Sequence, residues 1–271
     1  MAQEIVASKE FVSKKVRNLL MESVRNHGPL RPPIDPAKLA PFCAVLDVEH
    51  RPMIPEGALT PVQGGFRLYL QNNFTHQVTK RRFRFTLAHE LAHTFFYEVD
   101  GGVPKPIKRS PKGEKLEHLC HYGASQILVP DTVLKQQLKT EGAVASASAI
   151  LDLAKLFDVS VEVIMRRLQE LRLVADEKFA AILVDIVDGT KNRIQAACYG
   201  SVLLCNAPRP SRGMDFDSWV RPLLSPSGSA RDLHWTCTTQ TATITAEKVF
   251  RSNRSFILDL KFDPAPIKRA G

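Results

Sequence analysis

The chain has 271 residues, of which 44% are hydrophobic and 24% are charged. Such a composition is ordinary for a folded protein with a substantial core, and it excludes an intrinsically disordered chain. The formal net charge of +9 favours contact with nucleic acid or an acidic partner. The basic residues are scattered along the chain, however, and identify neither partner.

The amino-terminal segment and the cysteines both bear on the cellular compartment. The first residues carry charges at every turn, which predicts that they are not a secretory signal peptide, and no apolar run approaches the length of a membrane span. The cysteines are widely spread and contain no Cys-x-x-Cys pair; they are Cys43, Cys120, Cys198, Cys205 and Cys237. This odd number of separate thiols indicates a reducing environment, so we expect a cytoplasmic protein without a disulfide framework.

Hydrophobic periodicity predicts a mixture of helices and strands up to about residue 171. In chain order the predicted elements are a helix over residues 9–26, a short helix opened by Asp35-Pro36, strands over 43–48 and 66–70, helices over 81–98 and 115–129, and two short helices between 147 and 171. The stretch between the two strands, residues 51–65, is rich in Pro and Gly and is predicted to form turns. Ser160 is a typical N-cap for the last helix.

The character of the sequence changes beyond Asp176. Short β-branched or alternating runs, separated by Gly, Asn, Pro and Ser, predict a β-rich region. We therefore expect an α+β fold in three parts. These are a front domain over residues 1–140, a helix-turn-helix-like segment over 141–175 and a β-rich C-terminal domain over 176–271.

The pentapeptide His89-Glu90-Leu91-Ala92-His93 carries the strongest functional signal. On a helix, residues i and i+4 share a face, so His89 and His93 can hold one metal ion between them. Two neutral imidazoles suit zinc, which takes about four ligands. Glu90 is rotated by roughly 100° around the helix, so it flanks the metal and can accept a proton from the attacking water. The motif predicts a hydrolytic zinc site with Glu90 as the general base.

A catalytic zinc ion needs a third protein ligand and keeps one position open. The downstream residues that could supply it are Glu98, Asp100, Glu114, Glu117, His118 and His121. Glu98 and Asp100 lie too near the end of the helix to fold back easily. We favour Glu117, because its helical face is mostly apolar and a carboxylate there needs a cation, whereas His118 points to a more polar side. His121, one turn further on, is the alternative ligand or a group that hydrogen-bonds a ligand.

Two segments resemble the signatures of the ImmA/IrrE metallopeptidases. Residues 82–93, Arg-Phe-Arg-Phe-Thr-Leu-Ala-His-Glu-Leu-Ala-His, are similar to the zinc helix of the family. Residues 117–130 are similar to its second motif, which begins with Glu and continues as an apolar helix closing in Pro. The resemblance extends over roughly residues 10–172 and implies a gluzincin-like peptidase domain with helix-turn-helix-like helices.

The resemblance also implies roles for individual residues. It implies that His89, His93 and Glu117 bind zinc and that Glu90 is the general base. The chain departs from the family pattern at His121, where the family usually has Asn, and this leaves the role of His121 beside the ligands open. Manganese or iron can also occupy a site of nitrogen and oxygen ligands, so the metal in the cell depends on availability as well as geometry.

The family is known for site-specific cleavage of helix-turn-helix repressors, which releases stress-response or mobile-element genes. The resemblance therefore implies a zinc endopeptidase whose partner is a protein substrate of this kind. The layout is most similar to the radiation-response branch, in which a GAF-like β domain follows the peptidase. For residues 176–271 this leaves sensing, substrate positioning and dimerisation as open interpretations.

Two alternatives come from other functional classes. A DNA-binding regulator would use the 141–175 segment, where Arg166, Arg167 and Arg172 could meet phosphates. The early turns of its second helix lack the Arg, Lys, Asn or Gln side chains that usually read bases, so packing of these helices is the favoured interpretation. The other alternative is a toxin–antitoxin partner that acts by association, without proteolysis.

Overall fold

A computed structural model gives the structure of the chain. It describes residues 8–72, 77–138, 143–144, 146–174, 179–187, 191–199, 212–220, 234–238, 242–252 and 255–264. Contacts divide the chain into two compact units. The first unit comprises Met1–Leu134 with Leu156–Val159, and the second comprises Lys135–Lys155 with Ser160–Gly271.

Helices and a small sheet alternate over the described residues up to 138. In chain order the elements are α1 (Lys9–His27), a 3₁₀ helix (Pro36–Cys43), β1 (Val45–Arg51), β2 (Gly57–Val62), β3 (Gly65–Gln71), α2 (Gln77–His93), a 3₁₀ turn (Thr94–Phe96), β4 (Tyr97–Glu98), β5 (Lys105–Pro106), α3 (Gly113–Leu128) and α4 (Asp131–Gln137). The predicted helices α1 and α3 and the strands β1 and β3 are confirmed to within a few residues at each end.

Local sequence explains where α1 begins and ends. The Ser8 hydroxyl accepts a hydrogen bond from the Phe11 amide at 3.2 Å and so caps the amino end. At the other end Gly28 adopts φ 81°, and its amide donates to the Val24 carbonyl at 2.9 Å. The apolar stripe between these caps, which includes Val12 and Val16, is buried.

The three-stranded sheet has the order β1-β3-β2, with β1 parallel and β2 antiparallel to β3. The strand β2 lies in the stretch for which the sequence predicted turns, so that prediction is wrong. Gly57 and Pro61 conceal the strand because both residues are rare in sheets. Pro61 is tolerated because β2 is an edge strand, where a missing backbone N–H does not interrupt the ladder.

The helix α2 ends at His93 and not at residue 98 as the periodicity predicted. The Thr94 hydroxyl donates to the Leu91 carbonyl at 2.6 Å, and a 3₁₀ turn follows. A side-chain bond of this kind competes with the helical backbone bonds, which favours an end at this point. The chain then enters β4, which pairs with β5.

The helices α2 and α3 pack unusually closely. A Cβ atom placed on Gly123 of α3 would lie 2.9 Å from Cβ of Ala92 on α2 and 3.2 Å from Cγ1 of Val12 on α1. Ala88 and Ala124 are also fully buried. Small residues at the contact allow the two backbones to approach, because the helix separation is set by the side chains between them.

Over the described residues from 143 onward, three helices accompany an antiparallel sheet. The elements are α5 (Ala147–Leu156), α6 (Val161–Glu170), β6 (Phe179–Val187), β7 (Lys191–Tyr199), α7 (Phe216–Val220), β8 (His234–Thr238), β9 (Ala242–Ser252) and β10 (Ser255–Pro264). The strand order is β7-β6-β10-β9-β8. The pair α5 and α6 and the β-rich C-terminal region are both as predicted, and the fold is mixed α and β. Ser160 caps α6, accepting from the Val163 amide at 3.3 Å.

The second unit has its own apolar core on one face of this sheet. Its buried members are Ala180, Ile182, Val184, Ile194, Phe216, Phe256, Leu258 and Leu260. The helix α6 packs against β6 and β7. The helix α5 is tied to β10 because the Asp259 carboxylate accepts from the Ala147 amide at 2.9 Å.

One prediction for α6 is wrong. Arg167 is only 1% exposed, and its Nη1 lies 2.6 Å from Oε2 of Glu170. A buried guanidinium must be paired, and this one therefore supports packing and cannot reach a phosphate. Arg166 stays at the surface but pairs with Glu162 at 2.6 Å.

Among the cysteines whose side chains the structure describes, Cys43, Cys120 and Cys198 are free and buried. Burial raises the pKa of the Cys43 and Cys198 thiols to about 12 and also raises the pKa of Cys120. Cys205 lies outside the described residues, and the side chain of Cys237 is likewise not described. The described thiols are therefore protonated at neutral pH and behave as core residues.

We expect Cys43 and Cys198 of the native protein to resist alkylation by iodoacetamide at pH 8. A thiol with a pKa of about 12 has roughly one thiolate in ten thousand at that pH, and the thiolate is the reactive form. Peptide mass spectrometry after a short exposure measures the modification, with protein in guanidinium as the fully labelled control. Equal labelling of native and unfolded protein would contradict the burial of these thiols.

Candidate metal centre

His89 and His93 lie one turn apart on α2, and their rings converge. The two Nε2 atoms are 3.1 Å apart, and the ring centroids are 4.8 Å apart. The side chain of His89 is 12% exposed and that of His93 is 18% exposed. The helical period thus places two imidazoles side by side in a largely dry position.

Glu117 comes to the same point from α3. Its Oε2 lies 3.1 Å from Nε2 of His89, and its Oε1 lies 3.7 Å from Nε2 of His93. The sequence placed Glu117 on an inward apolar face, but its side chain is 48% exposed. The expected burial is wrong because Glu117 stands on the second turn of α3, at the rim of the helix contact, and reaches the histidines from outside.

The two imidazole nitrogens and the Glu117 carboxylate form a set that fits a tetrahedral metal ion. Zinc bonds of about 2.0–2.2 Å imply separations of about 3.3 Å between neighbouring ligand atoms. The observed separations, 3.1 and 3.7 Å, bracket that value. Burial, followed by the charges of His93 and His121, lowers the pKa of His89 to about 3, which keeps the imidazole neutral with a lone pair to donate. The residues present fit a divalent cation.

Glu90 also lies beside the two histidines. One ligand atom each of His89, Glu90 and His93 falls within 4.8 Å of the others. Glu90 is only 7% exposed. Burial first, and then the charge of Glu117, raises its pKa to about 7. A carboxylate with this pKa can both accept and release a proton near neutral pH.

His121 borders the site on the exposed side. Its ring centroid is 4.6 Å from that of His89, and it stacks on Phe85 with centroids 5.7 Å apart and an interplanar angle of 22°. His118 points away and pairs with Glu114 at 3.7 Å. The structure therefore brings His121, and not His118, to the predicted ligands.

The other carboxylates considered from the sequence lie elsewhere. Glu98 is exposed in β4, where it pairs with Lys105 of β5 in the strand register. Asp100 is exposed in the following turn, where its side chain accepts from the Gly102 amide at 3.1 Å. Neither contact involves the histidines.

One neighbour of Glu90 was missed by sequence reasoning. Gly57, at the start of β2, lies so close that an added Cβ would be 2.7 Å from Oε1 of Glu90. A glycine inside a strand often marks a close approach, and that signal was present in the sequence. It was not used because the stretch around Gly57 was predicted to form turns.

Part of the chain is similar to known metallopeptidases. Residues 75–169, which include α2 and α3, match the family model described as the IrrE N-terminal-like domain. Among characterised proteins, the radiation response metalloprotease IrrE of Deinococcus radiodurans is 36% identical over 93 residues. Over residues 75–169 the chain is therefore similar to a metallopeptidase domain of the ImmA/IrrE kind, and the resemblance drawn from the sequence is confirmed over these residues.

The similar proteins differ in how much of this chain they match. The match to the Deinococcus radiodurans protein covers 33% of this chain and 27% of that protein. A solved structure titled as a Mycobacterium tuberculosis transcriptional regulator aligns over 94% of this chain and 92% of its own, with 14% identity and a TM-score of 0.45. A likeness at that level establishes no shared activity.

Similarity to a metallopeptidase domain implies a divalent metal, and the grouping of His89, Glu90 and His93 within 4.8 Å of one another agrees with that implication. Within the ranges the structure describes, no helix has the length and hydropathy of a transmembrane span.

We expect the protein to bind about one zinc ion per chain and to lose it in His89→Ala and in Glu117→Ala. Each change removes one of three converging donors, so the affinity should fall by about a hundredfold or more. Metal analysis after dialysis measures the content, and circular dichroism checks the fold. His118→Ala, one residue from Glu117 and directed away from the site, is the matched control. Full zinc retention by Glu117→Ala would contradict the assignment.

Proposed function

We propose that the chain is a zinc-dependent endopeptidase in which His89, His93 and Glu117 hold the metal and Glu90 is the general base. The observation that carries this proposal is the convergence of two imidazole nitrogens and the Glu117 carboxylate, whose nearest atoms are 3.1–3.7 Å apart, beside a buried carboxyl group. When bound, zinc supplies Lewis acidity, which lowers the pKa of water to about 7 and polarises a carbonyl group. The family of residues 75–169 supports the reaction class.

Glu90 is suited to move the proton in this reaction. Its pKa of about 7 means that the carboxylate is a stronger base than an exposed glutamate but is still ionised in part at neutral pH. Its carboxylate takes the proton from the attacking water and delivers it to the leaving amine nitrogen. Burial shields the group from bulk water, so the proton passes to the reacting atoms and not to solvent.

Zinc is the proposed metal because two imidazoles and one carboxylate are a common donor set for catalytic zinc. The same donors also accept manganese or iron, and the proposal allows either ion in the cell. The described thiols of Cys43, Cys120 and Cys198 are buried and their pKa values are raised, which argues against a sulfur-ligated alternative.

The proposed substrate is a helix-turn-helix transcriptional repressor, whose cleavage would derepress stress-response or mobile-element genes. The support is the family of residues 75–169 together with the resemblance to the radiation-response branch. The rival DNA-binding function is not favoured, because Arg167 is buried and Arg166 is paired with Glu162. Association with a toxin or antitoxin partner, without proteolysis, would leave the converging donor set unexplained.

The remaining parts of the proposal concern organisation. We propose a gluzincin-like peptidase domain over residues 1–140, a helix-turn-helix-like segment over 141–175 and a C-terminal domain over 176–271 with a sensory or substrate-positioning role. The antiparallel sheet β7-β6-β10-β9-β8 supports a separate β domain, for which a GAF-like fold is the working hypothesis. A cytoplasmic location is proposed from the free thiols.

We expect the zinc-loaded protein to cleave the helix-turn-helix repressor encoded nearest its gene, and Glu90→Gln to cleave it at least about a hundredfold more slowly. The amide keeps the shape of the side chain but cannot accept the proton, and general base catalysis contributes about 10²–10⁴-fold. Gel electrophoresis and mass spectrometry of the fragments measure the rate. Glu114→Gln, an exposed carboxylate of the same helix as Glu117, is the control.

Two outcomes would count against different parts of the proposal. If neither protein cuts the repressor, the proposed substrate is wrong. If both proteins cut it equally fast, the proposed role of Glu90 is wrong.

A further inference from the structure

The start of the edge strand β2 lies against one face of α2. Arg82, Thr86 and Glu90 are spaced four residues apart, so they lie above one another on the same side of the helix. Glu56 and Gly57, where β2 begins, meet all three of these side chains. Glu90, the general base proposed above, is thus the last of three side chains in a row on α2 that face Glu56 and Gly57.

Glu56 joins this stretch to the helix. Its carboxylate accepts hydrogen bonds from Nη2 of Arg82 and, at 3.3 Å, from the hydroxyl of Thr86. The Arg82 hydrogen bond is the main reason that the pKa of Glu56 lies below its usual value. A carboxylate with two donors on adjacent turns has little freedom to move along the helix.

The backbone of the same stretch is fixed to the sheet. The Gln71 amide donates to the Glu56 carbonyl at 3.0 Å, and the Gln71 side chain donates to the Met53 carbonyl at 2.9 Å. Gly57 is paired with Leu70 in the β2–β3 ladder. The chain at Glu56 and Gly57 is therefore held from the sheet by its backbone and from α2 by the Glu56 side chain.

Gly57 leaves no room for a side chain against Glu90. A Cβ atom there would lie 2.7 Å from Oε1, 2.8 Å from Cγ and 2.9 Å from Cδ of Glu90. All three atoms belong to the Glu90 side chain, so an added methyl group would push against that side chain first. An alanine would therefore displace the Glu90 carboxylate.

The backbone of Gly57 does not itself require glycine. Gly64, in the turn between β2 and β3, has φ 83° and occupies the left-handed region, where side chains are strained. Gly57 is not in that region, and an alanine could adopt its extended conformation. Glycine is therefore needed at residue 57 because there is no room for a side chain beside Glu90, and not because of the backbone conformation.

We propose that Glu56 and Gly57 are positioning residues that set the place of the Glu90 carboxylate. Glu56 fixes the distance of β2 from α2, and Gly57 shapes the surface against which Glu90 lies. The inference rests on the proposed function of Glu90 as the general base. Neither residue touches the reacting atoms, so each acts only through Glu90.

The test compares Gly57→Ala with the unchanged full-length protein, both loaded with zinc. We expect Gly57→Ala to keep its zinc content and its circular dichroism spectrum. Its kcat for repressor cleavage should fall about ten- to a hundredfold while KM stays within about twofold, because a misplaced base slows the chemical step without weakening substrate binding. Glu56→Gln, which weakens the contact with Arg82, should lower kcat less. Unchanged kcat in Gly57→Ala would overturn the inference.

A matched control separates this effect from a general cost of replacing glycine. In Gly102→Ala the new Cβ meets only Oδ1 of Asp100, at 3.2 Å, and Glu90 is not among its neighbours. We expect this variant to retain the unchanged protein's kcat. An equal loss of kcat in Gly102→Ala would show that the effect at Gly57 is not specific to Glu90, and would also overturn the inference.

A second readout does not depend on the substrate. Crystal structures of the unchanged protein and of Gly57→Ala should differ in the position of the Glu90 carboxylate, with α2 and β2 superimposed. If the unchanged protein does not cleave the repressor, the proposed function fails and this comparison still tests the positioning. A Glu90 carboxylate in the same place in both structures would overturn the inference.

Discussion

The close packing of α2 against α3 is the constraint on which the site depends. Gly123 and Ala92 meet at the centre of this contact, where even one added methyl group would be crowded. Because the helix backbones approach so closely there, the histidines of α2 and the carboxylate of α3 can share one point, with Oε2 of Glu117 3.1 Å from Nε2 of His89. The helix α2 supplies two of the three proposed ligands and α3 supplies the third, so this donor set is a product of tertiary structure.

The site also depends on differences in solvent exposure among its side chains. His89 and Glu90 are largely buried, and burial is the first cause of both pKa shifts, downward for the imidazole and upward for the carboxyl group. Glu117 stays half exposed and brings its charge from the rim. The same helix contact therefore keeps one group neutral as an electron-pair donor and makes its neighbour a better base.

The sequence predicted the features that follow from helical periodicity, and it missed the features that depend on contacts between distant parts of the chain. The i, i+4 spacing of the histidines required only a helix, and Glu117 followed from a second helix with a matching motif. The expectation that Glu117 is buried was wrong because helical periodicity shows which residues share a face, but not how far each of them is exposed to solvent. The strand at Gly57 was missed because Gly and Pro conceal strand propensity at a sheet edge, and its partner on α2 is distant in sequence. The positive charge of Arg167 suggested that its side chain lies at the surface. Its ion pair with Glu170 instead allows the guanidinium to be buried.

The central claim is that one metal ion is held by two histidines and Glu117, with Glu90 beside it and unligated. Anomalous diffraction from crystals of the zinc-loaded protein, recorded on both sides of the zinc edge, tests this most directly. The account predicts one peak per chain, about 2.0–2.2 Å from Nε2 of His89, Nε2 of His93 and one oxygen of Glu117, with the Glu90 carboxylate outside that distance. The absence of a peak at this position, or a peak bonded to Glu90 in place of Glu117, would contradict it.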